Sequence, residues 1–144
     1  MTLTNLKLAD DLVERALTVA TKAHTNQFRR NGTTQYIQHP VAVADLFDEP
    51  VLKAVALLHD VVENSDLTLD DLRQFFPAEI VNAVDALTKR EGEAYKNYIL
   101  RVGENPVSRK VKLADIFHNI SDEPTRTAKA KYLNAFRLLV NNAI

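Results

Sequence analysis

Cysteine and tryptophan are absent from the 144 residues, methionine occurs once and glycine three times. Without cysteine there is no disulfide framework, zinc finger, iron–sulfur cluster or thiol nucleophile, so a metal held by side chains must use His, Asp or Glu. Three glycines are too few for the turns of a strand-rich fold. The Asn-Gly pair, Asn31-Gly32, lies in a polar stretch rather than between alternating apolar residues. No apolar run approaches the ~18 residues of a membrane span. The first ten residues lack the basic stretch followed by an apolar stretch that marks a secretion signal. A surplus of one charge sign is missing too: 18 basic residues face 19 acidic ones, a formal net charge of −1. That balance argues against a partner bound by phosphate neutralisation, such as a nucleic acid. The expectation is a soluble cytoplasmic protein with neither membrane nor nucleic-acid partner.

What is present is helical spacing. Apolar residues make up 46% of the chain, enough to build a core, which excludes intrinsic disorder. Leu8, Leu12, Val13, Ala16, Leu17, Ala20, Ala23 and His24 recur at steps of three and four and predict a helix over 4–26. Proline's missing N–H costs nothing at the first helical position. Pro40, Pro50, Pro77 and Pro106 therefore predict helices over 40–47, from 50 through the HDVVEN segment, over 77–89 and over 106–119. Thr68 with Asp71 resembles a capping box for a short helix ending near 76. Segments 91–101 and 125–142 complete about eight helices with short connections. The expected fold is a compact all-α single domain over 1–144. The longest connection, 28–38, carries Arg29, Arg30 and Tyr36 and leads into His39, which makes it a candidate anion-binding edge.

The strongest local signal is LLHDVVEN at 57–64. On a continuous helix His59 and Glu63 share a face. The preceding run, 51–58, is nearly all apolar, so the helix is expected to be buried, and a buried His-Asp pair needs partners. The dipeptide alone is common, and a core histidine beside a solvated aspartate accounts for it. Two further features extend the set. His39 stands before Pro40 at a helix start. Asp115 sits in VKLADIFHN among Val107, Val111, Leu113, Ala114, Ile116 and Phe117, an unusual place for a carboxylate, with Asn119 on its face. A surface ion pair with Lys112 or Arg109 is the plain alternative for Asp115. Together, His39, His59, Asp60 and Asp115 offer two nitrogens and two carboxylates, a set suited to an octahedral divalent ion such as manganese, iron or nickel.

The order His39-Pro40, His59-Asp60 and KLAD ending at Asp115 resembles the HD-domain metal phosphohydrolases. More narrowly, AHTNQFRRNGTTQYIQHP (23–40), ALLHDVVEN (56–64) and VKLADIFHN (111–119) are similar to the hydrolase domain of RelA/SpoT-type alarmone enzymes, most of all its stand-alone form, the small alarmone hydrolases. The resemblance implies a helical HD-domain bundle with His39, His59, Asp60 and Asp115 as manganese ligands. It implies that Glu63, at a catalytic pair with Asn64, works on the attacking water. It places Asn119 beside a ribose, Arg29 and Arg30 near phosphates or base, and Tyr36 in the same loop. His24 corresponds to a histidine that is not a ligand and reads as a core residue or a support of the ligands. The implied activity is metal-dependent hydrolysis of guanosine 3′,5′-bis(diphosphate), ppGpp, with pyrophosphate leaving from the 3′ position. With no synthetase domain in the sequence, degradation without synthesis is expected.

Two departures leave alternatives open. Asn64 stands where the family has an aspartate, and an amide cannot serve as a proton donor or acceptor in catalysis as a carboxyl can. Weaker hydrolysis, a role concentrated on Glu63 and the metal, another nucleotide substrate, or a nucleotide-binding protein with little turnover all follow from that change. Asp66 faces elsewhere if the helix continues. The connection 120–124 is also short. After it Thr125, Lys129, Lys131 and Tyr132 are candidate substrate contacts, with Lys129 and Tyr132 favoured, although a solvated charged face accounts for the lysines. Tyr95 and Tyr98 read as packing residues.

Overall fold

The computed structural model describes the backbone of residues 3–141 and side chains from residue 11 onward. The all-α expectation holds: nine helices and no strand run through the described residues. They are α1 (Leu3–Ala23), α2 (Gln38–Ala44), α3 (Pro50–Leu58), α4 (Val61–Asn64), α5 (Leu69–Arg73), α6 (Ala78–Leu87), α7 (Tyr95–Gly103), α8 (Pro106–Ser121) and α9 (Arg126–Asn141). The side chain of Leu8, expected on the core face of the first helix, and residue 142, expected to end the last, lie outside the described residues. No helix among the described residues is long and apolar enough to cross a membrane.

The ninth helix arises where one was expected to run unbroken. The segment from Pro50 through HDVVEN divides into α3 and α4, because Asp60 leaves helical geometry with φ −126° and ψ 15°. Other boundaries shift for local reasons. The first helix stops at Ala23, and Asn26 takes a left-handed φ of 63°. Pro77 caps α6 from an extended conformation instead of occupying its first turn. α7 starts at Tyr95 rather than near 91, because Gly92 at φ 74° turns the chain and Arg90 N–H donates to Glu93 Oε1 at 3.0 Å. Pro50 and Pro106 do open their helices, and Thr68 with Asp71 forms the expected reciprocal capping box.

The 28–38 connection is a compact turn. Asn31 Oδ1 accepts from the N–H groups of Thr33 and Thr34 at 2.9 Å each, and Gly32 supplies φ 77°. Arg29 N–H donates to Thr34 O at 2.7 Å, and one antiparallel bridge joins Phe28 to Gln35. The Asn-Gly pair therefore does close a tight turn, outside any sheet.

α3 is the centre of the fold. Leu52, Ala54, Val55, Ala56, Leu57 and Leu58 are all buried, the pattern of a helix apolar on every side. It packs against α1, α2, α6 and α8. Ala16 and Ala20 on α1 are fully buried, and their small side chains let α1 approach closely. Leu58, Ile80, Ile99 and Ile116 fill the surrounding core, each stabilising by ~1.5–3 kcal/mol relative to exposure. Ser108 is buried and donates to Ala83 O at 2.8 Å, fixing α8 on α6. Asn105 caps α8 by accepting from Val107 N–H and Ser108 N–H at 3.0 Å each. The central helix ends, and its chain breaks, where the His-Asp pair stands.

Candidate metal centre

Three elements deliver a group of side chains that could hold a metal ion. α3 presents His59 at its C-terminal cap, the first turn of α2 presents His39, and α8 presents Asp115. His59 Nδ1 lies 2.6 Å from Ala56 O. A carbonyl only accepts, so Nδ1 carries the proton and Nε2 turns inward with its lone pair. His39 Nε2 lies 2.7 Å, and His59 Nε2 3.3 Å, from the same oxygen, Asp115 Oδ1. Ligand atoms of His39, His59 and Asp115 all fall within 4.8 Å of one another. All three side chains are buried. Asp60 flanks this trio, with Oδ2 3.6 Å from His59 Nε2 and accepting from the Tyr36 hydroxyl. Asp60 Oδ1 is buried and without a formed hydrogen bond, 3.4 Å from His24 Nε2. His24, expected as a core or supporting residue, is both: it is buried and faces Asp60, with Nδ1 held by Gln27 Oε1 at 2.9 Å.

The donor set fits a divalent cation. A neutral His59 nitrogen and the carboxylate oxygens of Asp115 and Asp60 converge as acceptors, so either a proton or a cation must lie among them. Imidazole nitrogen with carboxylate oxygen is the chemistry of first-row divalent metals. Without a metal the proton is retained. Burial lowers the pKa of His59, but the charges of Asp60 and Asp115 outweigh it and raise it to about 9. Burial dominates at His39 and lowers its pKa. Asp115 stays well below the usual carboxylate range: burial acts to raise it, and Lys112 and His59 prevail. Asp60 is also lowered, against its burial, chiefly by His59.

Residues that sequence reading did not place in the site support it. Lys112 Nζ lies 2.9 Å from Asp115 Oδ2, so the ion pair weighed as a surface feature exists but is buried in the site, with 13% and 6% exposed side chains. His118 Nδ1 lies 2.7 Å from His39 Nδ1, and one shared proton between them orients the His39 ring. Both were signalled faintly by spacing, three residues either side of Asp115, but nothing in the sequence said which faced inward. Gln27 ties the region together, donating to Asn64 O at 2.7 Å.

A cleft of about 370 Å³ opens over the centre and is also lined by Glu63, Asn64, Lys112 and Lys131. Glu63 is exposed at its edge, and one carboxylate oxygen accepts from Lys89 N–H at 2.6 Å. Tyr36, Asn119 and Tyr132 line both this cleft and a neighbouring one of about 570 Å³ that holds Arg29 and Arg30. The arginine pair is already engaged. Arg29 donates to Asp122 Oδ2 at 2.8 and 3.0 Å and to Asn119 Oδ1 at 3.1 Å, while Arg30 donates to the Glu123 carbonyl. Asn119 Nδ2 donates to Asp115 Oδ1 at 3.1 Å, so it links the arginine cleft to the metal centre. Lys129 is exposed and lines neither cleft; Lys131, about 200° further round α9, lines the first.

A family model for the HD domain matches residues 16–98, more than half of the chain, from within α1 into α7. The chain is 35% identical over 131 residues to the bifunctional (p)ppGpp synthase/hydrolase SpoT of Escherichia coli K12, a match covering 78% of this chain and 18% of that protein. It is 34% identical over 121 residues to a GTP pyrophosphokinase of Streptomyces coelicolor, covering 75% of this chain and 14% of the relative. The chain thus spans less than a fifth of the length of either relative. Among solved structures, a metazoan ortholog of SpoT described as hydrolysing ppGpp aligns with a TM-score of 0.78 at 22% identity, over 92% of this chain and 85% of the other. That likeness shows a shared fold. With His59-Asp60 at the break after its central helix and the family match running through it, the chain belongs to the HD-domain family.

Proposed function

We propose that this chain is a single hydrolase unit that releases pyrophosphate from the 3′ position of ppGpp, with a divalent cation, manganese first among them, held by His39, His59, Asp60 and Asp115. The observation that carries the reading is the convergence of two inward imidazole nitrogens on Asp115 Oδ1 beneath a cleft edged by Glu63. The SpoT relative, named as a (p)ppGpp synthase/hydrolase, supports the substrate. When bound, the cation supplies Lewis acidity, lowering the pKa of water toward ~7 and offsetting phosphoryl charge.

The chain's own groups supply the rest. Lys89 N–H pins one oxygen of Glu63, which leaves the other to hold the attacking water and take its proton. The water oxygen bonds to the phosphorus attached to O3′, the P–O3′ bond breaks, and the ribose oxygen leaves with a proton drawn from solvent, while Glu63 returns its proton to solvent. Ala56 O and His118 fix the two imidazoles, and the Tyr36 hydroxyl fixes Asp60. Asn119 stands at the junction of the clefts, where a ribose bridging the two phosphate groups belongs. The 5′-diphosphate then meets Arg29 and Arg30, and Tyr132 borders both ends. Asp122 is half-exposed and holds Arg29 in place until phosphate oxygens compete for it. With Asn64 unable to carry a proton, Glu63 does that work alone.

The test is pyrophosphate release from ppGpp by purified protein, with and without manganese. Metal-dependent release, lost in His59→Ala, is expected. Protein with bound manganese that releases none would overturn the reading.

A further inference from the structure

Tyr95, at the start of α7, and Lys131, on α9, line the same cleft as His39, His59 and Asp115. The Tyr95 hydroxyl is buried and has no hydrogen-bond partner among the described residues. Buried hydroxyls are nearly always paired, so an orphan hydroxyl on a residue that lines a cleft marks a place for an acceptor. Lys112, Asp115, Tyr132 and Glu63 line the same cleft as Tyr95.

Lys131 supplies the charge. Its Nζ lies 4.4 Å from the Tyr95 ring centroid and 5.8 Å from that of Tyr132. These cation–π contacts hold a long flexible side chain at the cleft without neutralising it. Among the described residues no carboxylate pairs with Lys131, whereas Arg29 is paired with Asp122 and Lys112 with Asp115. A hydroxyl donor lacking an acceptor, beside an unneutralised ammonium, suits an anion rich in acceptor oxygens, and phosphate is the densest of these.

We infer that the Tyr95 hydroxyl and the Lys131 ammonium form a subsite for the terminal phosphate of the departing pyrophosphoryl group. That a phosphate binds there follows from the two side chains; which phosphate it is rests on the proposed reaction. The subsite shares the cleft of the metal ligands, so it serves the end of the nucleotide being cleaved. The arginine cleft serves the other end.

The test uses the full chain loaded with manganese and inorganic pyrophosphate as the probe, with binding read by calorimetry. Tyr95→Phe removes one oxygen and keeps the ring against Tyr98, and Lys131→Met keeps length and removes charge. Each is expected to weaken pyrophosphate about tenfold, the scale of one hydrogen bond to a charged group. Manganese affinity should not change, and Lys131→Arg should recover most of the loss. Lys131 is exposed, so its variants remain informative if Tyr95→Phe folds poorly. Folded Lys131→Met that binds both manganese and pyrophosphate as the wild type does would overturn the subsite, as would metal-loaded wild type that binds no pyrophosphate. Weakened pyrophosphate binding in the variants, with no ppGpp turnover by the wild type, would uphold the subsite and overturn the hydrolase reading. Turnover with unchanged pyrophosphate affinity would do the reverse.

Discussion

Lys112→Met separates a centre built for a cation from an ordinary buried ion pair. Lys112 Nζ sits 2.9 Å from Asp115 Oδ2 and 5.3 Å over the Tyr98 ring. The other carboxylate oxygen, Oδ1, faces His39 and His59 and accepts from Asn119. The two oxygens therefore answer to different charges, and only Oδ2 loses its partner in the variant. Removing one member of a buried pair costs about 3–5 kcal/mol, and the contacts Asp115 keeps place the loss near the lower end. Methionine preserves the stem, so little cavity cost is added. For a domain of this size about 3 kcal/mol lowers Tm by roughly 10 °C in a chelator. Saturating manganese places positive charge beside the same carboxylate and replaces part of what was lost. The gap between variant and wild type should therefore narrow. Thermal unfolding followed by circular dichroism, in chelator and in manganese, reads both numbers. Lys129→Met, at an exposed position, serves as control and should stay within about 0.5 kcal/mol. A Lys112→Met protein that melts with the wild type in chelator, or whose deficit grows when manganese is added, would refute this account.

Three further outcomes follow from the geometry. His59 is raised to about 9 in the metal-free protein, first against its burial and then by Asp60 and Asp115, so its proton competes with a cation at lower pH. Manganese affinity should fall about tenfold per pH unit on going below that value, and equal dissociation constants at pH 6.5 and 8.5 would contradict it. The same shift fixes the sign for stability: its contribution is full below the unfolded value of 6.5 and is lost as pH rises through about 9. The metal-free protein should thus weaken across that window. Separately, Asn105→Ala removes the side chain that caps α8 and should cost ~1 kcal/mol in urea unfolding; a loss under ~0.3 kcal/mol would show the cap to be idle.

Punctuation and periodicity made most of the helices legible. Pro50, Pro106 and the Thr68–Asp71 box act locally, so neighbours in sequence suffice to read them. The break at Asp60 is different. An apolar run looks the same whether the helix beyond it continues or turns, and Asp60 at the turn meets Tyr36 and His24, which are distant in the chain. The clustering of His39, His59 and Asp115 was legible because these residue types are rare in such surroundings: a carboxylate amid the apolar run of α8, a histidine before a proline near a helix start. Its supports were not, because their partners are distant in the chain. His118 meets His39 across 79 residues, and Arg29 meets Asp122 across 93. Lys112 shows the same limit at short range, since a spacing of three fits a surface pair and a buried one equally.

That difference bears on how the site is read. Arg29 and Arg30 were expected on an anion-binding edge, and in the fold Arg29 is paired with Asp122 while Arg30 donates to the Glu123 carbonyl. Lys131 looked like part of a solvated face, and in the fold it stands over Tyr95 at the metal cleft. A count of basic residues therefore overstates one cleft and understates the other. What decides which cation can hold a phosphate is whether a carboxylate has already taken it. By that criterion Lys131 at the cleft of His39, His59 and Asp115, and Arg30 in the arginine cleft, keep their charge, whereas Arg29 shares its own with Asp122.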